Sequence, residues 1–195
     1  EVLARWLSPR RGLILPGNFI PLFEKSELIV KLDRYMFEHA CRWYRSHLEQ
    51  GGRPVSLAVN VSKAGLFQND FVDYYTDIKS KYSIPDRVME LEFTESILAA
   101  DTELFAELVV NLNARGFICS LDDFGSGYSS LNLLKNLPID VLKLDILFFQ
   151  KSRDIRRERI VVSNVINMAK ELDIKTIAEG VEDMDTVEFL RKAGC

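Results

Sequence analysis

Residues 117–145 read FICSLDDFGSGYSSLNLLKNLPIDVLKLD, and the pattern of this stretch decides the fold. FICSLDD is a short apolar run suited to a strand, SSLNLLKNL reads as a short helix, and DVLKLD is a second apolar strand. Two strands joined through a helix form a parallel pair. The same rhythm extends on both sides. Upstream, VSLAVNV (55–61) and VMELEFT (88–94) read as strands, followed by the helices NDFVDYYTDIKSKY (69–82) and ELFAELVVNLNARG (103–116). Downstream, residues 155–172 read as a helix, IKTIAEG (174–180) as a strand and DTVEFLRKAG (185–194) as a helix. Consecutive strand–helix units of this kind imply a parallel sheet with both faces covered, an α/β fold.

The first part of the chain does not share this rhythm. EVLARWLSPRRGLILPGNFIPLF (1–23) reads as a strand and then a loop, with Pro9, Gly12, Pro16, Gly17 and Pro21 as breakers. SELIVKLDRYMFEHACRWYRSHLEQ (26–50) reads as a long amphipathic helix stopped by Gly51 and Gly52. Leu28, Leu32, Tyr35, Met36, His39, Ala40 and Trp43 are expected on its packed face, with the aromatics in the core.

Composition narrows the class. The 195 residues suit one domain spanning 1–195. A net charge of -4 gives no sign of a nucleic acid polymer as partner, so an anionic substrate would need metal ions or a few placed basic groups. Cys41, Cys119 and Cys195 form no CxxC pair and read as buried small hydrophobes in a reducing, cytoplasmic setting. His39 and His47, without an HExxH, read as structural. No apolar run reaches membrane-spanning length, so no membrane contact is expected from this segment.

The polar residues fall where the strands end. Asn60 closes the first strand of the series, and Glu92 and Glu95 belong to the second. Asp122 and Asp123 end the third, Lys143 and Asp145 the fourth, and Glu179 the fifth, with Glu182 beyond it. In a parallel sheet these ends share one side, and in a (β/α)8 barrel they ring the mouth that carries active sites. One acid at a strand end is ordinary turn chemistry. Five strands in succession are not. Such a cluster cannot stay ionised without compensation. Hard cations such as Mg²⁺ or Mn²⁺ are the fitting partners for carboxylate and amide oxygens, and a pair of them serves displacement at phosphate esters. Lys143 in the same mouth would lower the pKa of a water or orient it. Gly125 and Gly127 permit a loop that orders around ligands.

These residues resemble the EAL domain, the bacterial phosphodiesterase that opens cyclic di-GMP to linear pGpG. EVLARW (1–6) resembles the signature that names the family, and NVS (60–62) its Asn-x-Ser. ELEFTES (90–96) resembles its ExTE element and DDFGSGYSS (122–130) its most distinctive loop. LKLD (142–145) is similar to its Lys-Ile-Asp strand, and AEGVE (178–182) to its late glutamate motif. The resemblance implies a (β/α)8 TIM-like barrel with one antiparallel strand. It implies two Mg²⁺ or Mn²⁺ ions held by Glu1, Asn60, Glu92, Asp122, Asp123 and Glu179, with Asp122 as the bridge. The catalytic set would be Lys143, at the attacking water, with Glu179 and with Glu95, which holds the glycine loop and in this family links dimerisation to metal binding. Arg5 would bind a substrate phosphate, with Asp145 nearby. A homodimer and fusion to a GGDEF or sensor domain, in a protein that can be membrane-anchored elsewhere, are family habits.

This sequence departs from the pattern in places. Val2 replaces Ala in EAL, and strand alternation turns it away from the face of Glu1 and Leu3, so packing rather than ligation should change. Ser126 stands where Thr is common, and Leu147 where a small polar residue is usual. The family's first strand would precede residue 1 and its late Gln would follow Cys195, so the barrel in this chain is expected to be incomplete at both ends. Three other readings compete. A degenerate EAL domain that only senses cyclic di-GMP would have lost metal ligands. A protein kinase, suggested by DFG, would carry His-Arg-Asp and a glycine-rich loop ahead of it. A metal phosphodiesterase acting on another cyclic dinucleotide would share the same metal-binding residues.

Overall fold

The computed structural model describes residues 1–97, 102–125, 134–145 and 154–195. The sheet has five parallel strands: β3 (Leu57–Val61), β4 (Met89–Thr94), β5 (Ile118–Phe124), β6 (Val141–Leu144) and β7 (Lys175–Ala178). They are ordered as in the sequence, β3-β4-β5-β6-β7. Sequential parallel neighbours are the arrangement of a (β/α)8 barrel, of which the described residues carry this part. Ahead of them lies an antiparallel pair, β1 (Trp6–Ser8) and β2 (Gly12–Ile14). The helices are α1 (Pro16–Lys25), α2 (Leu28–Glu49), α3 (Lys63–Leu66), α4 (Phe71–Lys81), α5 (Thr102–Ala114), α6 (Ile155–Glu171) and α7 (Met184–Ala193). The helix expected over SSLNLLKNL lies mostly outside the described residues.

The chain divides into two compact units, Glu1–Glu92 with Asn111–Phe117, and Phe93–Val110 with Ile118–Cys195. In the first, aromatic rings fill the core. Phe37 of α2 meets Tyr75 of α4 at a centroid distance of 4.4 Å and Phe117 at 6.1 Å. In the second, Phe93 packs edge-on against Phe105 at 5.2 Å, and Leu121, Leu142, Leu144 and Ile166 are buried.

Three expectations are corrected. Residues 16–25 are helical rather than a loop. Pro16 sits in the first turn, where its missing N–H is harmless, and Pro21 is accepted further in. Packing decides: Phe19 is buried, 5.8 Å from Trp6 and 5.5 Å from Phe23. Second, the packed face of α2 is Ile29, Asp33, Phe37, Ala40, Cys41 and Tyr44. Leu28, Tyr35 and Trp43 are exposed, and the two aromatics stack on His39 and His47. The apolar residues of α2 make two stripes, and periodicity alone does not say which one the core takes. Third, Cys41 and Cys119 are buried but Cys195 is only partly so. Burial pushes the Cys41 thiol up to about 12, so it packs as an inert hydrophobe.

Candidate functional site

In the first unit the site begins with the chain's first residues. Val2 bridges in parallel to Val59, its N–H donating to the Ala58 carbonyl at 2.8 Å. Val2 is half-buried, whereas Glu1 and Leu3 are exposed, the alternation expected of an extended segment beside β3. This bridge brings Glu1 to Asn60. The Asn60 amide donates to Glu1 Oε1 at 2.9 Å and to Glu92 Oε2 at 3.3 Å. Glu92 is only 1% exposed. Glu1, expected from the family resemblance, thus meets Asn60, which also reaches Glu92, both expected from the strand ends. Arg5 is exposed and its guanidinium donates to the Ala4 carbonyl.

Sequence reasoning missed one group beside them. Asp33 of α2 is buried, and its Oδ2 accepts from the Ser62 N–H at 3.0 Å and from the Ser62 hydroxyl at 2.5 Å. Ser62 caps α3, its Oγ accepting from the Gly65 N–H at 3.0 Å. A Cβ on Gly65 would stand 2.5 Å from Asp33 Oδ2, so only glycine lets the turn approach this closely. Burial is the main cause that raises the Asp33 carboxyl to about 6. The signal in the sequence was an acid framed by Ile29 and Phe37 at helical spacing.

In the second unit the adjacent carboxylates depend on a bulge. Residues next to each other on a regular strand point to opposite faces. Here Leu121 pairs with Leu142 and Phe124 with Leu144, so β5 spends three steps where β6 spends two. The surplus is absorbed at Asp123, whose φ is 56°, in the left-handed region. Asp123 thereby stands near Asp122, Asp145 and Glu179. Its carboxyl is raised, first by loss of water and then by Asp122, Asp145 and Glu179. The Asp123 N–H donates to Asp122 Oδ1 at 2.9 Å.

Lys143 supplies the countercharge. It is 4% exposed, on β6 between β5 and β7, and its Nζ lies 2.6 Å from Glu179 Oε1 and 3.6 Å from Asp122 Oδ1. The ladder continues past the strands: the Asp145 N–H donates to the Phe124 carbonyl and the Glu179 N–H to the Leu144 carbonyl. Glu95, in a 3-10 turn (Glu95–Ile97) after β4, accepts from the Gly125 N–H at 3.4 Å, at the start of the glycine loop. Ser126 and Gly127 of that loop, and Leu147, lie outside the described residues. Among the described residues no three His, Cys, Asp or Glu side chains form a ready cation cage. The donor chemistry nevertheless suits hard cations. These are oxygen donors, and the carboxyl of Asp123 is disfavoured as an anion first by loss of water and then by like charges, which a cation would neutralise. Among the described residues no helix is long and apolar enough to cross a membrane.

The bifunctional diguanylate cyclase/cyclic di-GMP phosphodiesterase MucR of Pseudomonas aeruginosa is 37% identical over 195 residues, covering all of this chain and 28% of MucR. The cyclic di-GMP phosphodiesterase PA2567 of the same organism is 33% identical over 199 residues, covering all of this chain and 33% of that protein. The chain thus spans about a third or less of the length of these curated relatives. Among solved structures, a complex of the MucR phosphodiesterase with c-di-GMP superimposes with a TM-score of 0.89 at 37% identity, over 99% of this chain and 78% of that one. The family model for the EAL domain matches residues 1–195 from end to end, and this chain belongs to the EAL domain family.

Proposed function

We propose that this chain is a divalent-cation-dependent phosphodiesterase that opens cyclic di-GMP to linear pGpG. The observation that carries the reading is Lys143, a buried ammonium held between Asp122 and Glu179 at the ends of three neighbouring strands. A purely structural ion pair has no need of a further acid, Asp123, set close to both of its carboxylates. The names of MucR and PA2567 support the substrate.

Glu1, Asn60, Glu92, Asp122, Asp123 and Glu179 would hold two Mg²⁺ or Mn²⁺ ions. Bound ions would set positive charge against the phosphodiester and make water more acidic. The protein's own groups do the positioning. Lys143 Nζ, fixed by Glu179 and Asp122, would donate a hydrogen bond to the attacking water and point its lone pair at phosphorus. Glu95 would keep the start of the glycine loop in place through Gly125. Arg5 would bind a phosphate oxygen, for which guanidinium geometry is suited, and Asp145 would border the substrate. A homodimer, and a GGDEF or sensor domain in the same protein, belong to this reading.

The test is chromatography of cyclic di-GMP incubated with the protein plus Mn²⁺ or Mg²⁺, with EDTA as control. Linear pGpG formed only with metal is the expected result. Intact nucleotide from folded, metal-supplemented protein would overturn the reading.

A further inference from the structure

An acid buried without a basic partner is unfavourable unless it serves something else. Asp33 is such a group. Among the described residues its hydrogen-bond donors are the N–H and the hydroxyl of Ser62, and no cation pairs with it. Ser62 stands two residues after Asn60, where β3 turns into α3. The turn is fastened from both sides: Ser62 Oγ donates to Asp33 and accepts from Gly65 N–H, and Gly65 is pressed against the Asp33 carboxylate. The Ser62 carbonyl also accepts from the Leu66 N–H at 3.0 Å. A backbone pinned at Ser62 leaves Asn60 little freedom, and the Asn60 amide reaches both Glu1 and Glu92. Burial favours the neutral form of Asp33, so the group is held at a cost to stability near neutral pH.

We infer that Asp33 is a positioning residue: through Ser62 it fixes the β3–α3 turn and thereby aims the Asn60 amide at Glu1 and Glu92. Its consequence for metal binding rests on the phosphodiesterase reading, but the aim of Asn60 does not.

The experiment separates the two. In the metal-free chain the side-chain amide signals of Asn60 are identified by NMR from their loss in Asn60→Asp. Asp33→Leu and Ser62→Ala, which remove the acceptor and the donor, are then compared with the parent well below their unfolding temperatures, and Mn²⁺ affinity is measured by calorimetry. Both variants are expected to shift the Asn60 amide signals toward those of a free amide and to weaken Mn²⁺ binding, by about tenfold as for lost outer-shell partners. Asp33→Asn, whose amide oxygen still accepts from Ser62, is expected to keep the parent's Asn60 signals and Mn²⁺ affinity. Unmoved Asn60 signals in folded Asp33→Leu or Ser62→Ala overturn the inference, and Ser62→Ala decides it alone if Asp33→Leu does not fold. A parent chain that binds no Mn²⁺ counts against the phosphodiesterase reading and leaves the amide result to decide the role of Asp33.

Discussion

Lys143 carries the strongest functional expectation at the scale of the residue. Its ammonium is buried and set against two carboxylates, so a neutral side chain of similar length removes charge without leaving a void. Lys143→Met is expected to lower kcat by about 10²–10⁴-fold, the range for a lost proton-positioning group, with a smaller change in KM. Steady-state kinetics on pGpG formation measures both. Gly116 makes a stability prediction. Its φ is +80°, and an added Cβ would meet Asp86 Oδ1 at 2.1 Å. Asp86 forms the ion pair with buried Lys79, whose Nζ also donates to the Arg115 carbonyl at 2.9 Å. Gly116→Ala must both strain the backbone and push Asp86 off Lys79, so a loss of about 2–4 kcal/mol is expected in urea unfolding. Most of the candidate site was legible at this scale, because a polar residue closing an apolar run is visible in one dimension. Asp33 was not, since its meaning lies in a partner 29 positions away. Nor was the backbone angle of Asp123, which no pattern of residue types encodes.

The elements show where periodicity succeeds and where packing overrules it. The strands of the sheet were readable because a run of apolar residues has few uses other than a buried strand. In α2 the apolar residues form two stripes, and the core selects Ile29, Phe37, Ala40, Cys41 and Tyr44. This yields a paired test. Phe37→Ala, at a position 0% exposed, is expected to lose about 3–5 kcal/mol. Trp43→Ala, 47% exposed, is expected to lose less than about 1 kcal/mol despite the larger side chain removed. Chemical denaturation of the two variants checks the order. The same helix gives a pH dependence. The Asp33 carboxyl titrates near 6 in the folded chain against 3.8 for an ordinary aspartate. Between those values the folded state binds more protons than the unfolded one, so this group's contribution is present at pH 4 and is lost as pH rises through 6. Asp33→Asn should therefore resemble the parent at pH 4 and exceed it at pH 7 by at most roughly 3 kcal/mol. Urea midpoints across that range give the slope. In α1, the breakers Pro16 and Pro21 pointed to a loop, and the Trp6, Phe19 and Phe23 cluster overrode them.

For the whole molecule, ligand linkage is the informative quantity. Cations that bind only the folded chain stabilise it, by about 2.7 kcal/mol at a hundred times their dissociation constant. Mn²⁺ is accordingly expected to raise the unfolding temperature of the parent, and Asp122→Asn to lose both that rise and pGpG formation. A thermal scan with and without Mn²⁺ would show it, and a full rise in Asp122→Asn would remove that residue from the metal site. The order of the strands was legible because each helix returns the chain to the next strand of a parallel sheet. The bulge in β5 was not, and it carries a genetic consequence. Loss of the single codon for Asp123, in frame, would restore an even ladder against β6 and relieve a left-handed residue. The product should fold at least as readily as the parent and be silent as an enzyme. Selection for stability alone would accept that deletion; on the phosphodiesterase reading proposed above, selection on the chemistry is what keeps the extra residue in the strand.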